Sequence, residues 1–244
     1  NGEKVGHLTA DVQGRKVAVD YAVSNNGRGP KAKEAIELDA SGVPVSWSID
    51  GSSLFGSPVQ ERFAWSAGQA QWTSQADKGQ VAAARPILYA ANDASPWMLG
   101  VYVKALLKSP TKTLPLAPSG EMRLKEVRKL TLGEGKAAVP VTVYELSGID
   151  QSPSYVLIDK KGELYGTLDG GLIREGAEAN IPQLQKVSRE VDLQAAVEAA
   201  ENWGTYVTVH AYTPRAVRQA IEAGVRCIDH GQLLDDTTAR LMAE

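Results

Sequence analysis

TYVTVHAYTPRAVRQAIEAGVRCIDH, residues 205–230, contains two short β-branched segments on either side of a helical segment. The outer segments, residues 205–210 and 225–230, have the composition of buried strands. A threonine-proline pair at residues 213–214 is a typical helix start, and Gly224 is a typical helix end. Because strands joined through a helix are parallel, this pattern predicts a right-handed βαβ unit.

Each predicted strand ends in a histidine, His210 in the first and His230 in the second. The carboxyl ends of adjacent parallel strands meet at one edge of a sheet, about 4.8 Å apart, and α/β proteins keep their active sites at that edge. Neutral imidazole is the commonest protein ligand of zinc. We therefore predict that His210 and His230 bind one divalent metal ion, with zinc the expected ion. The alternative is that each is a hydrogen-bonded, half-buried histidine without a ligand.

The composition is that of a globular protein and excludes several functional classes. The 244 residues are 43% hydrophobic and 23% charged, which excludes wholesale disorder. A net charge of −3 gives no basic surplus for a nucleic-acid partner. No apolar run approaches the ~20 residues that span a bilayer. The single cysteine, Cys227, excludes an internal disulfide and a zinc site built from cysteines.

The N-terminal region has a different pattern from the βαβ segment. Period-two alternation between short turn sequences predicts an antiparallel β-rich domain over residues 1–168. One helix is predicted within it, capped by Ser95, beginning at Pro96 and ending before Pro110. Residues 169–190 are rich in glycine and charge and are interpreted as a linker or peripheral segment. Residues 191–244 then form the βαβ segment. The predicted fold class is an α+β N-terminal domain followed by an α/β segment.

Two motifs in the C-terminal region resemble those of a known family. They are VHAYT at residues 209–213 and IDHG at residues 228–231. With the residues around them, they are similar to the metal-dependent amidohydrolase superfamily, in its imidazolonepropionase-like and Xaa-Pro dipeptidase (prolidase) branch. The resemblance implies that residues 191–244 are part of a (β/α)₈ TIM barrel and contain its strands five and six.

The resemblance also implies roles for particular residues. His210 and His230 would bind the divalent metal, usually zinc, and Tyr212 would contact the substrate near its scissile carbonyl. The alternative for Tyr212 is an aromatic side chain packing at the barrel mouth. The family's His-x-His motif is absent, and its strand-four lysine cannot be placed in this sequence. The aspartate that acts as its general base would follow Glu244.

The N-terminal region is similar to the β-rich extension that precedes the barrel in some exported bacterial amidohydrolases. The segments that carry this resemblance are NGRGPKAKEAIELDASGVPVSWSIDG, residues 26–51, and SYVLIDKKGELYGTL, residues 154–168. If both ends belong to one such protein, the middle of the barrel is absent from this sequence. We therefore expect a piece of a longer polypeptide, with an exported or periplasmic location favoured over a cytoplasmic one.

These observations favour a metal-dependent hydrolase of amide or peptide-like C–N bonds, in which a metal-activated water attacks a carbonyl. The expected partner is a small-molecule or dipeptide-like amide substrate, and exposed sheet edges would favour a homo-oligomer. Two imidazoles are fewer ligands than catalytic zinc usually has, so the remaining ligands and the general base are expected outside the sequence. The alternative is a non-catalytic β-rich binding or assembly module with a structural βαβ tail.

Aromatic residues of the N-terminal region are a weaker candidate for a binding site. A ligand groove on the sheet is one interpretation, although aromatic residues at strand positions are usually part of the core. The residues concerned are Trp47, Phe55, Phe63, Trp65, Trp72 and Trp97.

Overall fold

The computed structural model describes residues 4–150 and 152–243 and divides into two compact units, Asn1–Asn180 and Ile181–Glu244. The first unit is rich in β-strands, and the second is mainly helical with one pair of strands. No helix within the described ranges is both long and apolar enough to cross a bilayer.

The first unit begins with a seven-stranded antiparallel sheet whose strands follow one another in chain order. The strands are β1 (Gly6–Gln13), β2 (Lys16–Val23), β3 (Lys31–Leu38), β4 (Pro44–Ser52), β5 (Pro58–Ser66), β6 (Gln69–Thr73) and β7 (Lys78–Ala82). Buried and exposed positions alternate in β2, β3 and β5, as the sequence predicts, and the buried positions are apolar except at Glu34 and Glu61.

A second sheet of six strands completes the first unit, in the order β13-β12-β11-β10-β9-β8. Its pairs are antiparallel except for the short parallel pair of β8 with β9. The strands are β8 (Leu88–Tyr89), β9 (Thr113–Ala117), β10 (Glu121–Leu132), β11 (Val139–Ser147), β12 (Ser154–Asp159) and β13 (Leu164–Thr167). Helix α1 (Trp97–Lys108) contacts β10, β12 and β13, and its buried residues join those of both sheets in one core.

The second unit contains a helix followed by a βαβ segment and a last helix. Its elements are α2 (Ile181–Asn202), β14 (Thr208–Ala211), α3 (Pro214–Glu222), β15 (Cys227–His230) and α4 (Asp236–Ala243). β14 and β15 pair in parallel, as the sequence predicts. A small apolar cluster of Val197, Ala220 and Val225 lies between the helices and this pair.

The predicted fold class, in which residues 191–244 form part of a (β/α)₈ TIM barrel, is wrong. A (β/α)₈ barrel needs eight parallel strands, each followed by a helix. The described residues contain two parallel pairs, β8-β9 and β14-β15, and the other strand pairs are antiparallel. A βαβ pattern specifies only its own two strands, and it is common to many α/β folds, so it could not establish a barrel.

The predicted domain boundaries and the observed units divide the chain at different residues. Residues 169–190, interpreted as a linker, include the short 3-10 helix Glu178–Asn180 and the first turns of α2. The two compact units meet at residues 180 and 181.

Candidate metal site at the ends of two parallel strands

β14 and β15 place both candidate histidines at the same end of a parallel pair. Their register aligns His210 with Asp229 and Ala211 with His230. Both histidines therefore lie at the carboxyl ends of their strands, on neighbouring positions of the same edge. This placement was predicted from the order of strand, helix and strand.

A tight turn follows β15 and determines where the second imidazole lies. His230 has a φ of +81° and Gly231 a φ of +56°, a region that non-glycine residues rarely adopt. The turn is held against the end of β14, since the Gly231 N–H donates to the Ala211 carbonyl (2.9 Å) and the Leu233 N–H donates to the Tyr212 carbonyl (3.2 Å). The positive φ of His230 has an energetic cost, which these two hydrogen bonds help to offset.

The two imidazoles lie close enough to hydrogen bond or to share an ion. Nδ1 of His210 is 3.0 Å from Nε2 of His230. A hydrogen bond needs a proton on one of these nitrogens and a lone pair on the other. Two imidazole nitrogens on a tetrahedral zinc ion, each about 2.0–2.1 Å from it, lie about 3.3–3.4 Å apart, so a small outward movement of the rings would make room for the ion. The side chain of His210 is 71% exposed, so an ion can reach it from solvent.

The ring of Tyr212 lies almost parallel to that of His230, with ring centroids 4.5 Å apart and an interplanar angle of 11°. This stacking favours one orientation of the imidazole. Tyr212 is itself 48% exposed. The structure thus brings Tyr212 to the pair, while its contact with a substrate stays a prediction.

Further metal ligands are scarce around the pair. Oδ2 of Asp229 is 3.9 Å from Nδ1 of His210, and the half-buried thiol of Cys227 lies two residues earlier on the same strand. Within residues 4–150 and 152–243, no group of three or more histidine, cysteine, aspartate or glutamate side chains is arranged to hold a metal ion. The pair therefore supplies two imidazole ligands and no complete zinc centre.

A cavity of about 170 Å³ adjoins His210 within the second unit. Its walls come from α2, β14 and α3 and are apolar at Leu193, Val209 and Ala220. Arg189 lies at its margin on the exposed side of α2. Glu190 also lines it, so the charges in its lining are of both signs, and the cavity offers space beside His210 for a small apolar group.

The sequence analysis missed a buried carboxylate in the first unit. Glu34 is only 3% exposed on β3. Its oxygens accept hydrogen bonds from the Trp47 indole N–H (3.0 Å) and from the Ser95 backbone N–H. Burial raises the pKa of Glu34, and the hydrogen bonds from Ser95 and Trp47 partly oppose that rise.

A second buried carboxylate, Glu61 on β5, is also inside the core. One oxygen accepts from the Tyr89 hydroxyl (2.6 Å) and the Asn92 N–H (3.1 Å), and the other accepts from the Asp93 N–H (3.1 Å). Both glutamates therefore bind the segment before α1 to the first sheet. The sequence pattern could have identified them, because each glutamate lies between two apolar residues at alternate positions of its strand, as in Ala32-x-Glu34-x-Ile36.

The aromatic residues of the first unit divide between core and surface. Trp47, Phe63 and Trp72 are buried in the core, as is usual for aromatic residues in strands, whereas Phe55 is exposed. Trp65 and Trp97 are partly buried and pack against the same core. The structure therefore does not collect these residues into one ligand groove.

Comparisons with known proteins give little information about function. No family model matches the chain. It is 34% identical over 73 residues to uncharacterized proteins of Mycobacterium tuberculosis and Mycobacterium bovis, and this match covers 30% of the chain and 20% of each relative. The chain thus spans about a fifth of the length of the curated relatives it matches. A crystal structure of a DUF1089 family protein from Pseudomonas aeruginosa is similar with 11% identity and a TM-score of 0.39, over 71% of this chain and 93% of that chain.

The family resemblance drawn from the sequence is corrected by these findings. It implied the (β/α)₈ barrel of the amidohydrolases, an architecture that the described residues do not have, and no family model supports it. The resemblance of residues 26–51 and 154–168 to an extension that precedes such a barrel is corrected with it. Any role of those histidines must be argued from their own geometry.

Proposed function

We propose that His210 and His230 bind a divalent metal ion, with Zn²⁺ the expected ion, and that this site hydrolyses amide or peptide-like C–N bonds. The supporting observation is the 3.0 Å separation of Nδ1 of His210 and Nε2 of His230 at the ends of adjacent parallel strands. Tetrahedral zinc holds two imidazole nitrogens about 3.3–3.4 Å apart, so the two rings need only a small movement to bind one ion. The small amide substrate, the homo-oligomeric state and the exported location stay predictions.

Residues of this chain would bind the metal ion and orient the substrate. His210 and His230 hold the ion, and Tyr212 fixes the imidazole plane of His230 by stacking. The hydroxyl of Tyr212 can donate a hydrogen bond to a substrate carbonyl. The cavity beside His210 can accept an apolar part of the substrate. When bound, the ion supplies Lewis acidity toward the carbonyl and lowers the pKa of water toward about 7.

Zinc titration of the metal-free protein tests the binding step, with Co²⁺ absorption as a second readout of the ligand set. We expect one equivalent of metal, with an affinity below that of three-ligand zinc sites. His210→Ala and His230→Ala should each weaken binding at least tenfold. His7→Ala is the matched control, because His7 lies on β1 in the other unit and pairs there with Asp20. Equal affinity in all four proteins would overturn the site.

Hydrolysis is tested at saturating Zn²⁺ with an Xaa-Pro dipeptide and an N-acyl amino acid, by measuring release of the free amine. Because the remaining ligands and the general base are expected outside these residues, we expect only a slow rate, above that of zinc in buffer, lost in His210→Ala and His230→Ala and retained in His7→Ala. If wild type binds zinc but releases amine no faster than His210→Ala, the hydrolase proposal is wrong while the metal site stands.

A non-catalytic binding module is the second candidate. The observation that favours it is the supply of only two imidazole ligands within the described ranges, because catalytic zinc usually has three protein ligands. For such a module we expect zinc to bind without any gain in amine release. The amine-release measurement described above therefore separates the candidates.

A further inference from the structure

Two neighbouring turns lie at one end of the seven-stranded sheet. The first connects β2 to β3, where Asn25 and Arg28 exchange backbone hydrogen bonds (2.7 and 3.0 Å) around Asn26 and Gly27, both at positive φ. The second connects β4 to β5. The two turns are adjacent because Lys31, at the start of β3, pairs with Ser52, at the end of β4.

The second turn presents two apolar side chains to solvent. The Ser53 N–H donates to the Ser57 carbonyl (2.8 Å), and the Gly56 N–H donates to the Ser53 carbonyl (3.0 Å). Leu54 and Phe55 form the tip of this closed loop and are 51% and 81% exposed. The loop closes through backbone bonds and a positive φ at Gly56, so its stability does not require a leucine or a phenylalanine at the tip.

The first turn contributes positive charge beside this apolar tip. Arg28 and Lys31 form no ion pair within the described part of the chain, and both are exposed. Residues 24–31 and 52–58 contain no aspartate or glutamate. The two turns and the strand ends enclose an open cleft of about 420 Å³ with these cations on one side and Leu54 and Phe55 on the other.

We infer that this end of the first unit binds the surface of a bilayer that contains anionic phospholipids. Phe55 and Leu54 enter the boundary between headgroups and acyl chains, and Arg28 and Lys31 contact headgroup phosphates. Aromatic and leucine side chains are favourable at that depth, and each juxtamembrane cation contributes attraction to an anionic surface. The site is peripheral and is distinct from the histidine pair.

The geometry favours a bilayer over a protein partner. A stable protein interface covers about 800 Å² on each partner and needs matching shape, whereas this turn offers two large exposed apolar side chains, Leu54 and Phe55. A bilayer surface needs no shape complementarity. A free phosphate would use the cations alone and would leave the exposed leucine and phenylalanine without a function.

Sedimentation with vesicles tests this inference on the full chain. Vesicles of phosphatidylcholine alone are compared with vesicles that contain phosphatidylglycerol as well, at low and at high NaCl. We expect binding to the anionic vesicles at low salt, weaker binding at high salt because the charges are screened, and little binding to neutral vesicles. Absence of binding to anionic vesicles at low salt would overturn the inference.

Substitutions at the two turns separate the apolar and the charged contributions. Phe55→Ser should weaken vesicle binding roughly tenfold or more, since a buried phenylalanine side chain is lost. Arg28→Gln and Lys31→Gln should each weaken it about fivefold. The controls are Trp203→Ser, an aromatic residue 88% exposed in the other unit, and Lys33→Gln, an exposed cation further along β3.

Either of two results would contradict the inference. If Phe55→Ser binds anionic vesicles as well as wild type, the apolar tip takes no part and the inference is wrong. If soluble polyglutamate competes fully with the vesicles and Phe55→Ser does not alter that competition, the cations form a general polyanion surface. Circular dichroism and the thermal midpoint of each variant exclude loss of the fold as the cause of weaker binding.

Discussion

Glu34 has both carboxylate oxygens inside the core, and each accepts a hydrogen bond, from the Trp47 indole and from the Ser95 backbone. Replacing it with glutamine would turn an amide N–H₂ group toward one of these donors. We therefore expect Glu34→Gln to lower the free energy of unfolding by about 1–3 kcal/mol at neutral pH. Urea unfolding measures this, with Glu37→Gln, at the end of the same strand, as the control. An unchanged midpoint would contradict the bonding described.

The raised pKa of Glu34 also predicts how stability depends on pH. Because burial raises its pKa in the folded state, the folded protein retains the proton over a range in which the unfolded chain has lost it. The stabilisation is complete below the ordinary glutamate pKa and is lost as pH rises through the raised folded value. The stability advantage of wild type over Glu34→Gln should therefore decrease from pH 4 to pH 7. An advantage that increases over this range would contradict the direction of the shift.

His230 combines an unfavourable backbone conformation with a side chain placed against His210. At a φ of +81°, glycine avoids the steric cost that any L side chain has. We expect His230→Gly to be about 0.5–1 kcal/mol more stable than His230→Ala, since both variants lose the imidazole and only alanine keeps the strain. Urea unfolding of the two variants measures this difference. A more stable alanine variant would show that the turn carries no strain.

The approach of the two histidines could be predicted from sequence, but their exact geometry could not. A strand, a helix and a strand in succession place His210 and His230 on one edge by topology alone. The positive φ of His230 depends on the turn that follows it and on bonds to the end of β14, which no local pattern specifies. The scarcity of further ligands is likewise a property of tertiary structure.

At the scale of elements, the sequence predicts the start of α3 correctly. The Thr213 hydroxyl accepts a hydrogen bond from the Ala216 N–H (3.3 Å), and Pro214 occupies the first turn. We expect Thr213→Ala to destabilise the second unit by about 1 kcal/mol, because a helix N–H loses its acceptor. Thr213→Ser should retain most of that stability. Equal losses in both variants would indicate that the methyl group, and not the hydroxyl, matters.

The start of α1 shows where local reasoning fails. The sequence predicts Ser95 as the residue that caps this helix, yet Pro96 occupies that position and no side chain caps the helix. The Ser95 N–H instead donates to Glu34, 61 residues away in sequence. The division of the strands between two sheets is another long-range property, since alternation identifies strands but does not say which of them pair.

At the scale of the whole chain, composition predicts domain boundaries that differ from the division seen in the structure. Residues 169–190 resemble a linker because they are rich in glycine and charge. The helix α2, whose apolar positions are few, begins at Ile181 inside that segment and continues to Asn202. Propensity and composition identify weakly amphipathic helices poorly, because tertiary contacts decide whether such helices form.

Zinc binding should also be detectable as stability of the second unit, whose apolar cluster is small. An ion that binds only the folded state stabilises it by about 2.7 kcal/mol at a free concentration 100 times its Kd. We therefore expect Zn²⁺ to raise the free energy of unfolding of wild type and of His7→Ala by this amount. His210→Ala and His230→Ala should show no comparable gain at the same zinc concentration. A gain in all four proteins would mean that the stabilising ion binds elsewhere, and the pairing of these two imidazoles would then be a hydrogen bond alone.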